Sequence, residues 1–564
     1  MKKYFYNLIL LFYLFVSTLV IFWNTKQTYG VNDDVIIQNW LSGFYTGTPE
    51  LMIRGSATPR ISFGFIVSNI YKIVPGINWF SIILLGFTLL SWYLIGILAF
   101  RSKNNLVIVA YFLVSFLHLL WFIPSPTYTA CAVILSFSVV IYILKKISEG
   151  NINTSLVFLS LAYVMGFLIR PESFLLGSAA SLPFIVFTIL KSERIIRNDF
   201  KLILTSIILI FSIIGIDAVF ENIYYKSNNN WTEYKNWEIA RYKIQANVSE
   251  KAVLDDPTKF GWTKAEAEIF KTYNSVDPNH FTASKLNQLI LDTQSFEKFN
   301  INFIEKAHQQ IFDSDINWEW KRLIQLISLL YLIFLLLSLP KPSVFLLLSS
   351  TSLLIIYVIM LYVAGFLRQP ERVQVSVIFL SVLVSWTSFI FTKESKLGNK
   401  LDQYSISSWI LISLVVSAVF DQSRYLKSKV AGASNVFWLT ESSYLSKFPK
   451  DSIFVGNASQ FRNNWISPYK TEYFDVEKRI FSFGWHNFSP HWVKRAKIMG
   501  LEPNNIFNSV IHDPRVYWVA DTESMEYIVS YMNEQNYKFS GPNIFGEIEY
   551  VGNEYKVWNF NPSE

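Results

Sequence analysis

For most of its length the chain alternates long apolar runs with short charged connections. A nearly unbroken apolar stretch at 5–23 is followed by others at 77–100, 105–123, 127–144, 153–169, 173–190, 202–220, 322–339, 343–366, 373–391 and 405–420. Each approaches the ~20 residues that carry a helix through a bilayer, which predicts a polytopic α-helical membrane protein with about 11 transmembrane helices. A shorter apolar segment, 61–74, is rich in Ser, Gly and Asn and reads as a surface or partly inserted helix. The first run is long for a cleaved signal peptide and no small-x-small site follows it, so a retained helix is the better reading.

Charge placement sets the expected sidedness. Lys2 and Lys3 precede the first run, and cationic clusters occur at Arg101/Lys103, Lys145/Lys146, Lys191/Arg194/Arg197/Lys201, Lys341 and Lys393/Lys396/Lys400. Alternating the spans from a cytoplasmic N-terminus puts every cluster on the cytoplasmic side, as the positive-inside rule requires. The loop 24–76, the loop 221–321 and the tail from 421 are then extracytoplasmic. A multi-pass protein of the cell membrane is expected, with a membrane module at 1–420 and an extracytoplasmic domain at 421–564.

Those two larger regions have different textures. The 221–321 loop reads as mainly helical, with Thr263-Lys264-Ala265-Glu266 as a capping box and turns at Asp255-Asp256-Pro257 and Asp277-Pro278-Asn279. Its tryptophans, Trp231, Trp237, Trp262, Trp318 and Trp320, suit either a membrane interface or the face of a sugar, with the interface favoured for the last two. In the tail, short apolar runs at 452–456, 479–483 and 516–520 alternate with helical patterns at 439–448, 491–500 and 522–534. Strand-like segments follow at 544–551 and 555–559, which predicts a small α/β domain. It has no Gly-rich phosphate loop and no nucleophile elbow, so a binding or supporting role is expected.

Composition agrees with the pattern: 52% of residues are hydrophobic and only 16% charged, below the roughly one quarter of ordinary soluble domains. The net charge of +7 resides in the short connections, so it reports topology and excludes nucleic-acid binding as its cause. The single cysteine, Cys131, rules out an internal disulfide and a cysteine-based metal site. The six histidines have no zinc-type spacing. His118 falls mid-span and reads as packed, while those of Trp485-His486-Asn487 and Pro490-His491-Trp492 are weak candidates for touching a polar ligand.

Candidate chemistry begins at Asn32-Asp33-Asp34, just after the first span. Val35, Ile36, Gln38, Trp40, Leu41 and Phe44 allow a short helix there, for which one aspartate would serve as N-cap; the second needs another explanation. Two span exits on the same expected side carry an arginine and a glutamate around a helix-stopping proline. These are Arg170-Pro171-Glu172 and Arg368-Gln369-Pro370-Glu371-Arg372. Local ion pairing at helix ends would account for either, but ionisable groups at a membrane edge commonly mark function. Arg54 and Arg60 are secondary outer cations.

An N-terminal span, an acidic motif in the first outer loop, many further spans and a C-terminal outer domain together resemble the GT-C class of integral-membrane glycosyltransferases. The resemblance implies a polyprenyl-phosphate-linked sugar as donor and a first-loop aspartate, Asp33 or Asp34, as the catalytic residue. It further implies that Arg170, Arg368 and Arg372 contact the lipid phosphate. Glu172 and Glu371 would orient those arginines. The chain has no Trp-Trp-Asp motif of the oligosaccharyltransferase kind, so the acceptor stays open among glycan, glycolipid and cell-wall polymer. A phosphate leaving group needs charge stabilisation rather than protonation, and the acceptor hydroxyl needs a base; together they suggest a single, inverting displacement. No cofactor is certain, although a divalent cation between the aspartates and phosphate is chemically possible. A cell-surface polysaccharide polymerase or ligase, a lipid or sugar transporter, and a non-catalytic sugar-binding scaffold are the alternatives.

Overall fold

The computed structural model describes residues 2–25, 27–29, 32–51, 59–150, 153–191, 200–246, 256–294, 342–366, 371–392, 447–461, 468–469, 477–550 and 553–563. The N-terminal part is helical: α1 (Lys2–Asn24), α2 (Asn32–Ser42), α3 (Ile61–Ile73), α4 (Trp79–Arg101), α5 (Asn105–Phe122), α6 (Tyr128–Ser148), α7 (Ser155–Ile169), α8 (Pro171–Ala180), α9 (Leu182–Lys191) and α10 (Phe200–Lys226). Central helices α11 (Asn229–Ala246), α12 (Lys264–Lys271) and α13 (Ala283–Gln294) follow, then α14 (Pro342–Phe366) and α15 (Glu371–Thr392).

Among the described residues, four helices are long and apolar enough to cross a membrane: α1, α4, α6 and α10. The bent pair α8/α9 would make a fifth. This corrects the expected count of about 11. The runs at 105–123 and 153–169 form the shorter helices α5 and α7, and those at 343–366 and 373–391 form α14 and α15. At 1.5 Å per residue α5 and α7, of 18 and 15 residues, are about 27 and 23 Å long, short of the ~30 Å hydrocarbon core. The runs at 322–339 and 405–420 lie outside the described residues. Hydropathy registers an apolar run without distinguishing a full span from a helix apolar because it is buried among others.

The 173–190 run is a second correction, because it is two helices meeting at 44°. Pro183 lies in the first turn of α9, where its ring and missing N–H disrupt continuation from α8. Ser181 covers the break, its hydroxyl donating to Ser178 O at 2.6 Å.

Helix α10 is inside-out by the standard of a soluble protein. Its buried residues are Ser206, Asp217, Glu221 and Tyr225, whereas Phe211, Ile216, Val219 and Ile223 are exposed. Helix α1 also exposes Phe5, Leu8, Phe12 and Phe15. Contiguous exposed apolar surface on this scale marks an interaction face rather than a water-facing one, consistent with association with a membrane.

The C-terminal part is the expected α/β unit. Strands β1 (Ile453–Asn457), β2 (Ile480–Phe483), β3 (Val516–Asp521), β4 (Phe539–Tyr550) and β5 (Asn553–Pro562) form one five-stranded sheet in the order β2-β1-β3-β5-β4. The first three are parallel, with Phe454 opposite Ile480 and Phe454 also opposite Tyr517. β5 runs antiparallel to β3, pairing Trp558 with Trp518, and the β4–β5 hairpin closes the edge. β1 is buried at all five positions, as expected of a central parallel strand. Helices α16 (Ala458–Phe461), α17 (Pro490–Ile498), α18 (Ile506–His512) and α19 (Thr522–Glu534) connect the strands. The expected helix at 439–448 falls almost entirely outside the described residues.

The central helices share one core with this sheet. Trp231, Tyr234, Trp237, Phe270 and Phe281 pack in the same cluster as Phe483, Trp492 and Tyr531. Trp231 and Trp237 are therefore core residues, which corrects their expected place at a membrane interface or sugar face; Trp262 is half-buried against Phe270. Trp318 and Trp320 lie outside the described residues. The capping box at Thr263 forms in full: the Thr263 hydroxyl accepts from the Glu266 amide at 3.1 Å, and Glu266 Oε2 accepts from the Thr263 amide at 2.7 Å.

Candidate functional site

Helix α2 starts at Asn32, so Asp33 and Asp34 both lie inside its first turn. Neither takes the capping position proposed for one of them, though both carboxylates suit the positive end of the helix dipole. Successive helical residues point about 100° apart, and the two aspartates have contrasting surroundings. Asp33 has a side chain 24% exposed, whereas Asp34 is fully buried.

Two distant segments hold Asp33. Arg372 Nη2 donates to its Oδ2 at 3.0 Å, and Trp485 Nε1 donates to its Oδ1 at 3.0 Å. Arg372 is the second residue of α15, where the helix dipole disfavours a cation. Asp33 offsets that placement. Trp485 lies just after β2, so the C-terminal part of the chain completes the environment of a carboxylate near the N-terminus.

Neither oxygen of Asp34 reaches hydrogen-bond geometry with a partner. Burial pushes its carboxyl up to about 8, against the opposing influence of Arg372. Asp33 raises it further, while the Tyr128 amide and Arg170 act in the lowering direction. The Tyr128 amide stands close enough to favour the ionised form, yet outside proper donor geometry. At neutral pH Asp34 is accordingly mostly a neutral acid, since desolvation penalises its charged form.

Arg170 completes the group. It links the end of α7 to Pro171 at the start of α8, in extended conformation. Its guanidinium donates to the Thr129 hydroxyl and lies 4.9 Å from the centre of the Tyr128 ring. Glu172 stands 4.0 Å away and is half-exposed, too loose a pair to neutralise Arg170. Arg170 Nε is buried without a hydrogen bond.

The structure thus brings Asp33, Asp34, Arg170 and Arg372 together at the end of the bundle where α6 starts and α7 stops. With Asp34 neutral, two guanidiniums face one carboxylate inside the cluster, an arrangement suited to an anion. Other sequence candidates fall elsewhere. Arg60 is consumed by a buried ion pair with Asp217 and a second contact to Glu221 Oε2 at 2.8 Å. It also caps the path into α3, its amide donating to Leu168 O at 2.8 Å. Arg54, Arg368 and the side chain of Glu371 lie outside the described residues. Among the described residues, no group of three or more His, Cys, Asp or Glu could hold a metal ion.

The segment 485–492, a weak candidate from sequence, proves close to the site. Trp40, fully buried on α2, meets Trp485 at 5.4 Å, His491 at 4.7 Å and His486 at 6.1 Å between ring centres. His491 Nε2 contacts Leu51 O at 3.0 Å and Lys494 Nζ contacts Glu50 Oε1 at 2.5 Å, pinning the chain after α2. Burial holds His486 down to about 3 and His491 to about 4, so both act as neutral packing and hydrogen-bonding rings. His118 is packed as expected, accepting from Trp92 Nε1 at 3.1 Å. Tyr128 and Thr129 carry no sequence signal of their own, and Trp485 is marked only by its place in Trp485-His486-Asn487. In comparisons with known proteins, no family model matches the chain, no curated protein matches it, and no solved structure matches it.

Proposed function

We propose that the protein is a membrane glycosyltransferase that moves a sugar from a polyprenyl-phosphate donor to an extracytoplasmic cell-envelope acceptor with inversion. The observation that carries this reading is the meeting of Asp33 and Asp34 with Arg170 and Arg372 at one end of the helical bundle. Two cations with one ionised carboxylate between them suit a phosphate that develops charge as it leaves.

Asp33 is the base in this scheme, because it is the partly exposed carboxylate. On donor binding the phosphate competes for Arg372, which loosens its hold on Asp33. The acceptor hydroxyl oxygen then attacks the anomeric carbon, the bond from that carbon to phosphate oxygen breaks, and Asp33 takes the hydroxyl proton. Arg170 and Arg372 share the charge of the departing polyprenyl phosphate. Asp34, held neutral, keeps a second negative charge away from that phosphate. The membrane orientation in this reading is the one set by the positive-inside pattern.

The test uses the full chain in lipid nanodiscs with a panel of polyprenyl-phosphate-linked hexoses and pentoses and a cell-envelope extract as acceptor. Asp33→Asn lowers the transfer rate by about 10²–10⁴, the usual contribution of a general base, and Arg372→Gln raises the donor concentration needed for half-maximal rate. Wild-type rates in both Asp33→Asn and Asp34→Asn would sink the base assignment.

A further inference from the structure

A cavity of about 640 Å³ opens between α1, α4, α6 and α7, at the end of the bundle opposite the acidic cluster. Helix α6 separates the two: its 21 residues start at Tyr128 and end beside this cavity, a distance of about 30 Å. The volume lies within the ~300–1,000 Å³ of small-molecule sites. Its walls are apolar, built from Leu10, Leu94, Ile97, Leu159 and Ala162.

The rim is cationic. Arg101 and Lys146 both line it, with their charges 5.9 and 5.8 Å from the centre of the Tyr142 ring. Arg101 binds Glu149 at 2.7 Å, and Lys146 donates to Asn153 at 3.1 Å and to Ser155 at 2.6 Å. These contacts fix both cations at the entrance. Lys103, set in a turn with φ of +52°, also lines the rim, and its side chain has no ion pair or hydrogen bond among the described residues. Among the described residues Glu149 is the carboxylate bound to Arg101, and the Lys103 side chain adds a positive charge that no described carboxylate offsets. The entrance lies beside Phe158, 73% exposed, and Tyr6, 40% exposed, so it opens sideways along the apolar flank of the bundle.

We propose that this cavity holds an acyl chain of an anionic glycerophospholipid whose phosphate lies on Lys103, Arg101 and Lys146. Free phosphate would make no use of the apolar walls, and a zwitterionic lipid would make little use of the excess cations. The sideways entrance faces the place where bilayer lipids stand when α1, α4 and α6 cross a membrane. The site lies at the far end of the bundle from Asp33 and is independent of the glycosyl-transfer reading.

The test titrates the full chain in mixed micelles with dioleoylphosphatidylglycerol and separately with dioleoylphosphatidylcholine, and counts retained lipid by native mass spectrometry. Phosphatidylglycerol is retained preferentially, and Lys103→Gln weakens its retention about fivefold, as loss of one cation near an anionic headgroup implies. Ala162→Phe fills the cavity while leaving the cations in place, and abolishes the preference. Equal retention of both lipids by the wild type overturns the proposal. So does a preference that survives Ala162→Phe, which would mean a diffuse basic surface, or tighter retention of a polyprenyl phosphate than of phosphatidylglycerol. Lys103 is in an exposed turn, so Lys103→Gln decides the matter even where Ala162→Phe fails to fold.

Discussion

Asp34 makes the stability of the protein depend on pH with a definite sign. Its carboxyl is raised from 3.8 to about 8, chiefly by burial. Between those values the folded state holds a proton that the unfolded state has released. Stability from this group is therefore complete below about pH 4 and falls as pH rises, until the folded state also ionises near pH 8. Each pH unit in that window costs about 1.4 kcal/mol, so the interval from pH 5 to 8 costs about 4 kcal/mol. Asp34→Asn cannot titrate, and its own packing cost is independent of pH. The quantity to measure is the difference in unfolding free energy between wild type and Asp34→Asn, from equilibrium unfolding in mixed micelles across pH 5–8. Groups common to both proteins cancel. The wild type is expected to lose about 4 kcal/mol relative to the variant over the interval. A difference that stays constant with pH would refute the reasoning, and one of opposite sign would mean that Asp34 is ionised and paired.

Three further outcomes follow from named contacts. Arg60→Ala strands Asp217 without its buried cation and leaves Glu221 with Lys235 alone; it should cost about 3–5 kcal/mol in the same unfolding assay, part of which Asp217→Asn restores in the double variant. Trp40→Ala empties the space among Trp485, His486 and His491, with an expected loss of about 3–5 kcal/mol and earlier proteolysis of the segment after α2. Thr263→Ala removes the capping box of α12 for about 1 kcal/mol, whereas Thr263→Ser retains most of it, as thermal melting can show.

What sequence made legible was local. The capping box at Thr263 and the strands near 452–456, 479–483 and 516–520 rest on patterns a few residues long, and each appears within a residue or so of its expected place. Strand β4 begins earlier than expected, at Phe539, because an edge position tolerates Gly541 and Pro542 through an irregular register between Ser540 and Asn543. The helical spans were overcounted where apolar runs turned out to be short helices or, at Pro183, a broken pair. Long-range pairings left no trace in local pattern. Arg60 and Asp217 are 157 residues apart, and nothing in the spacing of Asp217, Glu221 and Tyr225 on an apolar helix names their partner. At the site, the acidic pair and the arginines stood out as charges where charge is expensive. Their arrangement depends on Trp485, whose pairing with Asp33 only the packed C-terminal sheet creates.

That last pairing has a bearing on how the protein is made. Asp33 and Trp485 are separated by 452 residues, which take about 20–90 s to synthesise at about 5–20 residues per second. Throughout that time the N-terminal helices enter their surroundings with Asp33 lacking one of its two anchors. A nascent or prematurely terminated chain carries the acidic helix without the indole that orients it. Ribosome-bound intermediates and truncated products are thus left incomplete by the order of synthesis, and only a chain translated past Trp485 can assemble the site.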